Sequence, residues 1–98
     1  MNTPKNDREA VSAILNGMES AGWTVDSVDD GEQHFSVSST KRAIDAVMDV
    51  DMAHVFLSKG DVSGWVWFVL GNDPEEVAAN STVNLDPDLS SITGPWWE

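Results

Sequence analysis

The sequence predicts a single α+β domain, with one four-stranded antiparallel sheet made of two hairpins and the helices mainly on one of its faces. Two segments with helical periodicity alternate with two pairs of short strand-like segments, and each pair is joined by a Gly-containing turn. The 98 residues suit one domain, and no repeat or long linker divides them. The predicted order is α-β-β-α-β-β-α, as one domain over residues 1–98.

The first half of the chain predicts a helix, a hairpin and a second helix. Either Thr3-Pro4 or Asn6/Asp7 can start the first helix, and Gly22 ends it. Its inner stripe is Ala10, Val11, Ile14, Leu15, Met18 and Ala21. Residues 23–28 and 34–39 predict two strands joined by the turn Asp29-Asp30-Gly31-Glu32. Ser39 or Thr40 can cap the second helix, with Ala43, Ile44, Val47 and Met48 facing inward.

The second half predicts another hairpin and a short third helix. The strands are residues 54–59 and 65–70, with a Gly-containing turn between them. Asp73 as a cap, Pro74 at the first helical position and Glu76 three residues after the cap predict a helix over about residues 74–80. Asp86-Pro87 and Gly94-Pro95 then predict an irregular tail over residues 86–98.

The strand at residues 65–70 consists of six large apolar residues, so it is apolar on both faces. Strand alternation predicts which side chains the helices cover: Trp23, Val25, Phe35, Val37, Val55, Leu57, Val66, Phe68 and Leu70. The opposite face is predicted to be polar over the first hairpin, with Val28 as an apolar residue on it. Over the second hairpin it is aromatic, with Phe56, Trp65 and Trp67, and His54 nearby.

Three coverings of this aromatic face are open. The tail can fold back on it through Ile92, Trp96 and Trp97, a second copy of the chain can pack against it, or a foreign partner can bind there. Exposed aromatic clusters of several hundred Å² usually mark an interface.

The charge balance restricts the class of partner. The chain has 17 acidic and 5 basic residues, a net charge of −12. This charge argues against direct binding to nucleic acid, whose phosphates require Lys and Arg. It favours basic partners, divalent cations, or no role beyond solubility. The carboxylates either form an ordinary solvated surface or imitate a row of phosphates. The candidate binding carboxylates are Asp29, Asp30, Glu32, Asp73, Glu75 and Glu76.

The sequence does not support several other classes of protein. The chain has no Cys, so it contains neither a disulfide nor a thiolate metal site. No apolar run approaches the roughly 18 residues of a membrane span, and the N-terminus lacks the apolar segment of a signal peptide. We therefore expect a cytoplasmic protein without a membrane partner.

No reaction is predicted either. Residues 26–37 lack the ligands that an EF-hand needs at positions 3 and 12. The pattern Asp49-x-Asp51-x-x-His54 could hold a metal, but two carboxylates and one His near a helix end are common. His34 and His54 are expected on the same sheet face, but no nucleophile pattern or phosphate-binding loop accompanies them. We expect no catalytic residue, no metal and no cofactor.

The segment GWVWFVLGNDPEEVAANSTVNLD, residues 64–86, resembles small acidic accessory proteins of bacteriophages and prophages. The resemblance rests on the strand, on Gly71-Asn72-Asp73-Pro74 with Glu76-Val77, and on Asn84-Leu85. It covers about a quarter of the chain. It implies a bacterial host cytoplasm and a non-enzymatic inhibitor of a host protein, and it transfers no catalytic residue.

Together these observations predict a non-enzymatic protein that binds a basic, nucleic-acid-handling host protein. The binding surface is expected to combine an aromatic anchor with the candidate carboxylates. The alternative is a structural module that forms a homodimer through its aromatic sheet face.

Overall fold

Three helices and one five-stranded antiparallel sheet form the described part of the chain, residues 3–97, in the computed structural model. The helices are α1 (Asp7–Ser20), α2 (Thr40–Met48) and α3 (Asp86–Thr93). The strands are β1 (Thr24–Asp29), β2 (His34–Ser36), β3 (Met52–Lys59), β4 (Val62–Val69) and β5 (Ala78–Ser81). They lie in the order β2-β1-β3-β4-β5. Short 3₁₀ turns occur at Pro74–Glu76, Val83–Leu85 and Gly94–Trp97.

The α+β class, the first two helices and the presence of both hairpins are confirmed. The strand bounds differ, because β2 ends at Ser36 rather than at residue 39, and β4 begins at Val62, within the predicted turn. The side chain of Asn6 accepts a hydrogen bond from the Glu9 N–H, and that of Ser39 accepts one from the Arg42 N–H, so each helix has a capping residue. β1 pairs with β2, β3 pairs with β4, and the β1–β3 pairing joins the two hairpins in the middle of the sheet.

The prediction of four strands is wrong, and so is that of a helix over residues 74–80. The helix-start signal produces only the 3₁₀ turn Pro74–Glu76, where Asp73 makes no side-chain capping bond. The chain then enters β5, which pairs with the free edge of β4. Since β4 would otherwise leave its edge N–H and C=O groups unpaired, this pairing outweighs a short local helix.

Residues 86–97, which were predicted to be irregular, are helical. α3 accommodates Pro87 in its first turn, where a proline costs no helical hydrogen bond, and the 3₁₀ turn Gly94–Trp97 follows. α3 packs beside α1, and the side chain of Ile92 lies against Gly17. Residue 98 lies outside the described part of the chain.

The core lies between α1, α2 and one face of the sheet. The predicted inner side chains of the sheet are buried, except for three that are half-buried at its edge (Phe35, Val37 and Leu70). On the predicted helix stripes, Ala21 and Met48 are half-buried and the others are buried. Val28, expected on the opposite face, is 0 % exposed. The β1–β3 register shifts between Val25 and Ser27, and this irregularity reverses the alternation of β1.

The contact between α1 and α3 can be tested at Gly17. An added Cβ would lie 2.7 Å from Ile92 Cδ1. The resulting overpacking costs about 1–3 kcal/mol. It should outweigh the gain in helix propensity of about 1 kcal/mol. We therefore expect Gly17→Ala to lower the free energy of unfolding in a urea melt.

Gly94→Ala is the matched control. Gly94 has a helical φ of −53°, and an added Cβ would meet no atom within 4 Å. This variant should gain about 0.4–1 kcal/mol. If both variants were stabilised equally, α3 would not pack on α1 as described.

Candidate functional site

Two rows of side chains cross the sheet on the face opposite the core, which we call the open face. Register partners in an antiparallel sheet project their side chains to the same side. The first row therefore consists of Asn80, Trp67, His54, Asp29 and His34, and spans all five strands. The second row consists of Trp65, Phe56, Ser27 and Ser36.

Five rings on these rows contact one another and form what we call the aromatic patch: His34, His54, Phe56, Trp65 and Trp67. The His54 and Trp67 rings stack with centroids 5.7 Å apart and planes 10° from parallel. His54 meets Trp65 edge-on at 5.1 Å, and His34 stacks on Phe56 at 4.9 Å. Because the rings partly cover one another, all but His34 are half-buried although they lie on a sheet surface.

The C-terminal segment does not cover the patch through Ile92 or Trp96. Ile92 lies against Gly17 of α1, and Trp96 is 6 % exposed within the core. The Thr3 hydroxyl donates to the Trp96 carbonyl at 3.1 Å and holds this segment on the helical side. The alternative in which the tail covers the aromatic face therefore does not hold for Ile92 or Trp96, and the side chain of Trp97 lies outside the described part of the chain. A second copy of the chain and a foreign partner remain as alternatives for what covers the aromatic patch.

The acidic turn, residues 29–32, lies at one end of the patch. The backbone N–H groups of Gln33 and Glu32 donate to the Asp30 carboxylate at 2.8 and 2.9 Å and hold the pKa of Asp30 below its ordinary value. The Asp29 carboxylate accepts from the Gly31 N–H at 2.9 Å. Gly31 has φ +94°, a conformation that favours glycine. The turn thus holds two carboxylates in defined positions.

A cleft of about 290 Å³ lies where the acidic turn meets the patch. Asp29, Asp30 and Asp51 line it together with the rings of His54 and Trp67. Sequence reasoning missed this cleft and the place of Asp51 in it. The β1–β3 register, which sets Asp29 opposite His54, has no local signal in the sequence.

The candidate carboxylates fall into two separate groups. Asp29 and Asp30 adjoin the patch, and Glu32 is exposed in the same turn. Asp73 is exposed at the start of the Pro74–Glu76 turn, while Glu75 and Glu76 line a groove beside α3 with Leu89. The structure does not bring this second group to the patch.

The basic side chains concentrate on the helical side. Lys59 is the one Lys or Arg within β1–β5, and its ammonium lies 5.9 Å from the Trp23 ring centroid and 3.8 Å from Asp88. Arg8 and Lys41 pair with Asp45 at 2.6 and 3.2 Å and lower the pKa of that carboxyl. Within residues 3–97, no Lys or Arg lines the cleft beside Trp67.

Ser27, His34 and Asp29 come together, although the sequence offered no reason to propose a Ser–His–Asp site. His34 Nε2 lies 2.8 Å from Ser27 Oγ, but His34 Nδ1 is 4.0 Å from the nearest Asp29 oxygen. That separation exceeds a hydrogen bond, and the His34 side chain is 52 % exposed. Asp29 therefore does not orient the imidazole as the acid of a catalytic triad does.

Between β2 and α2, a groove of about 510 Å³ has an apolar floor of Phe35, Val37 and Val50 beside Arg42 and Asp45. In residues 3–97, no three or more His, Asp or Glu side chains are grouped so that they could hold a metal ion. The same residues contain no helix of sufficient length and apolarity to cross a membrane.

No family model, curated protein or solved structure matches the chain. Nothing in these comparisons links it to phage accessory proteins, and that resemblance stays a prediction. The strand–cap–helix pattern on which it partly rests is replaced here by a strand, a 3₁₀ turn and a further strand.

Proposed function

We propose that the protein is a non-enzymatic binding protein that modulates a basic, nucleic-acid-handling host protein in a bacterial cytoplasm. One observation carries the proposal: the aromatic patch and the acidic turn adjoin on the open face. The neighbouring strands contribute only Lys59, which contacts Trp23 and Asp88 rather than the patch.

This combination suits recognition of a cationic protein surface. A few residues supply most of the affinity at protein interfaces, and Trp is enriched among them because its large ring buries much surface at little entropic cost. Fixed carboxylates steer a basic partner toward the patch and discriminate against acidic ones. A surface that binds Arg and Lys in this way can also compete with nucleic acid for them.

A homodimer through the same patch is the alternative function. The patch itself favours it, because a second copy would cover the rings. The charge opposes it, because two chains of −12 each would be brought together. Light scattering separates the two: a concentration-dependent dimer that Trp65→Ala abolishes supports the alternative.

The proposal predicts that removing the charges of the acidic turn weakens binding of the partner. The triple variant with Asp29→Asn, Asp30→Asn and Glu32→Gln should bind the basic partner more weakly than the wild type does. Its thermal melt should stay close to that of the wild type. The matched control combines Glu9→Gln, Asp49→Asn and Asp61→Asn, which remove three exposed charges elsewhere. Affinity is measured by titration after capture from host lysate and purification of the partner.

Salt and duplex DNA provide the decisive comparison. Surface charges are screened over about 8–10 Å at physiological ionic strength, so binding should fall steeply as salt rises. Duplex DNA should compete with the protein for the partner. Screening is stronger still at about 0.5 M salt. The charge-based proposal would be wrong if the affinity for the partner were unchanged at that salt concentration, or if both triple variants lost affinity equally.

A further inference from the structure

We infer that the cleft beside Trp67 takes an arginine side chain of the basic partner. The inference rests on the proposed function and names the group that the open face recognises. Trp67 lines the cleft, and its indole stacks on the nearly parallel His54 ring with centroids 5.7 Å apart. An indole face attracts a cation, and a guanidinium also stacks on it through its planar π system.

The charge of the cleft is complementary to a cation. Asp29, Asp30 and Asp51 border it, and no Lys or Arg within residues 3–97 lines it. The Asp29 and Asp30 carboxylates are held by backbone N–H groups of the acidic turn, so a ligand would meet them already ordered. Preorganised groups lose little conformational freedom on binding, which favours even a small contact.

The size of the cleft is compatible with a single side chain. Pockets that hold drug-sized ligands have about 300–1,000 Å³, and this cleft has about 290 Å³ and is open on the sheet surface. A bare metal ion would need a group of ligands that residues 3–97 do not provide. A guanidinium can donate to several carboxylate oxygens from one plane while it stacks on the indole, which an ammonium cannot do.

The test uses three small probes on the intact protein: N-acetylarginine methylamide, its lysine analogue and its citrulline analogue. Citrulline has the shape of arginine without the charge. In an NMR titration, the arginine probe should shift the Trp67 indole N–H and the Gly31 amide at lower concentration than the lysine probe. The citrulline probe should leave both signals in place. Equal shifts from arginine and citrulline, or equal shifts from arginine and lysine, would overturn the inference.

Variants locate the probe. Trp67→Ala should weaken binding of the arginine probe about twofold to fivefold, as loss of an exposed cation–π contact does. Asp51→Asn, at an exposed residue that lines the cleft, should also weaken it. The control is Asp61→Asn, an exposed carboxylate in the β3–β4 turn, which should leave the affinity unchanged. Unchanged affinity in both Trp67→Ala and Asp51→Asn would place the arginine elsewhere.

The two proposals fail in different ways. If the partner depends on the acidic turn but the arginine probe does not perturb the cleft, this inference is wrong and the proposed function stands. If the probe binds at Trp67 but the acidic-turn variant binds the partner as tightly as the wild type does, the cleft recognises arginine and the proposed function is wrong.

Discussion

Replacement of Phe68 by alanine should lower the free energy of unfolding by about 3–5 kcal/mol, the loss typical of a large-to-small change in a core. Phe68 is 0 % exposed and is the largest of the fully buried side chains. It lies on the core face of β4, one residue from Trp67 on the open face. The variant would leave a cavity between the sheet and the helices. Urea melts of the wild type and the variant measure the loss.

Trp67→Ala and Phe68→Leu complete this test. A domain of this kind is stable by only about 5–15 kcal/mol, so Phe68→Leu provides a smaller change if the alanine variant does not fold. Trp67→Ala removes an even larger ring from the same strand, but from a half-exposed position. It should therefore destabilise the isolated protein less than Phe68→Ala. A greater loss from Trp67→Ala would contradict the assignment of the two faces.

Gly64→Ala should produce the second large loss of stability, roughly 2–4 kcal/mol, from overpacking and from two weakened hydrogen bonds. An added Cβ would collide with Thr82 Oγ1 and lie 2.8 Å from Asn84 Oδ1 and 3.1 Å from Leu85 Cγ. Those side chains tie the segment after β5 to β4. Thr82 Oγ1 accepts from the Trp65 N–H at 3.2 Å, and Asn84 Nδ2 donates to the Ser63 carbonyl at 2.7 Å.

A double-mutant cycle with Thr82→Ala identifies the cause of that loss. Thr82→Ala alone should cost about 0.5–1.5 kcal/mol for its hydrogen bond. Combined with Gly64→Ala, it removes the atom that the new Cβ would strike, so the two losses should not add. Strict additivity in thermal or urea unfolding would show that the two residues do not approach each other as described.

Much of the local structure follows from the sequence. The apolar stripe of α1, the capping residue of α2 and the turn residues of both hairpins are short-range signals, and each forms the element it predicts. The alternation of residues 65–70 placed Phe68 in the core and both Trp65 and Trp67 on the other face. The aromatic half of the candidate site was therefore predictable from strand geometry alone.

Other features depend on contacts between distant segments. Residues 74–80 carry a helix-start signal, yet the free edge of β4 draws Ala78–Ser81 into a fifth strand. Val28 lies in the core because β1 shifts register against β3. α3 packs against α1, a contact between the two ends of the chain. Local propensity amounts to tenths of a kcal/mol per residue, less than the net gain of about 0.5–1.5 kcal/mol from each backbone hydrogen bond made with β4.

The sequence by itself determined the α+β class, the net charge of −12 and the aromatic strand. Only the tertiary structure decided which carboxylates lie beside the rings. The β1–β3 pairing sets Asp29 next to His54 and opens the cleft at Trp67, whereas Glu75 and Glu76 lie beside α3. The physical reason is that register between strands distant in the chain is set by the burial of a whole face, which no local pattern of residues specifies.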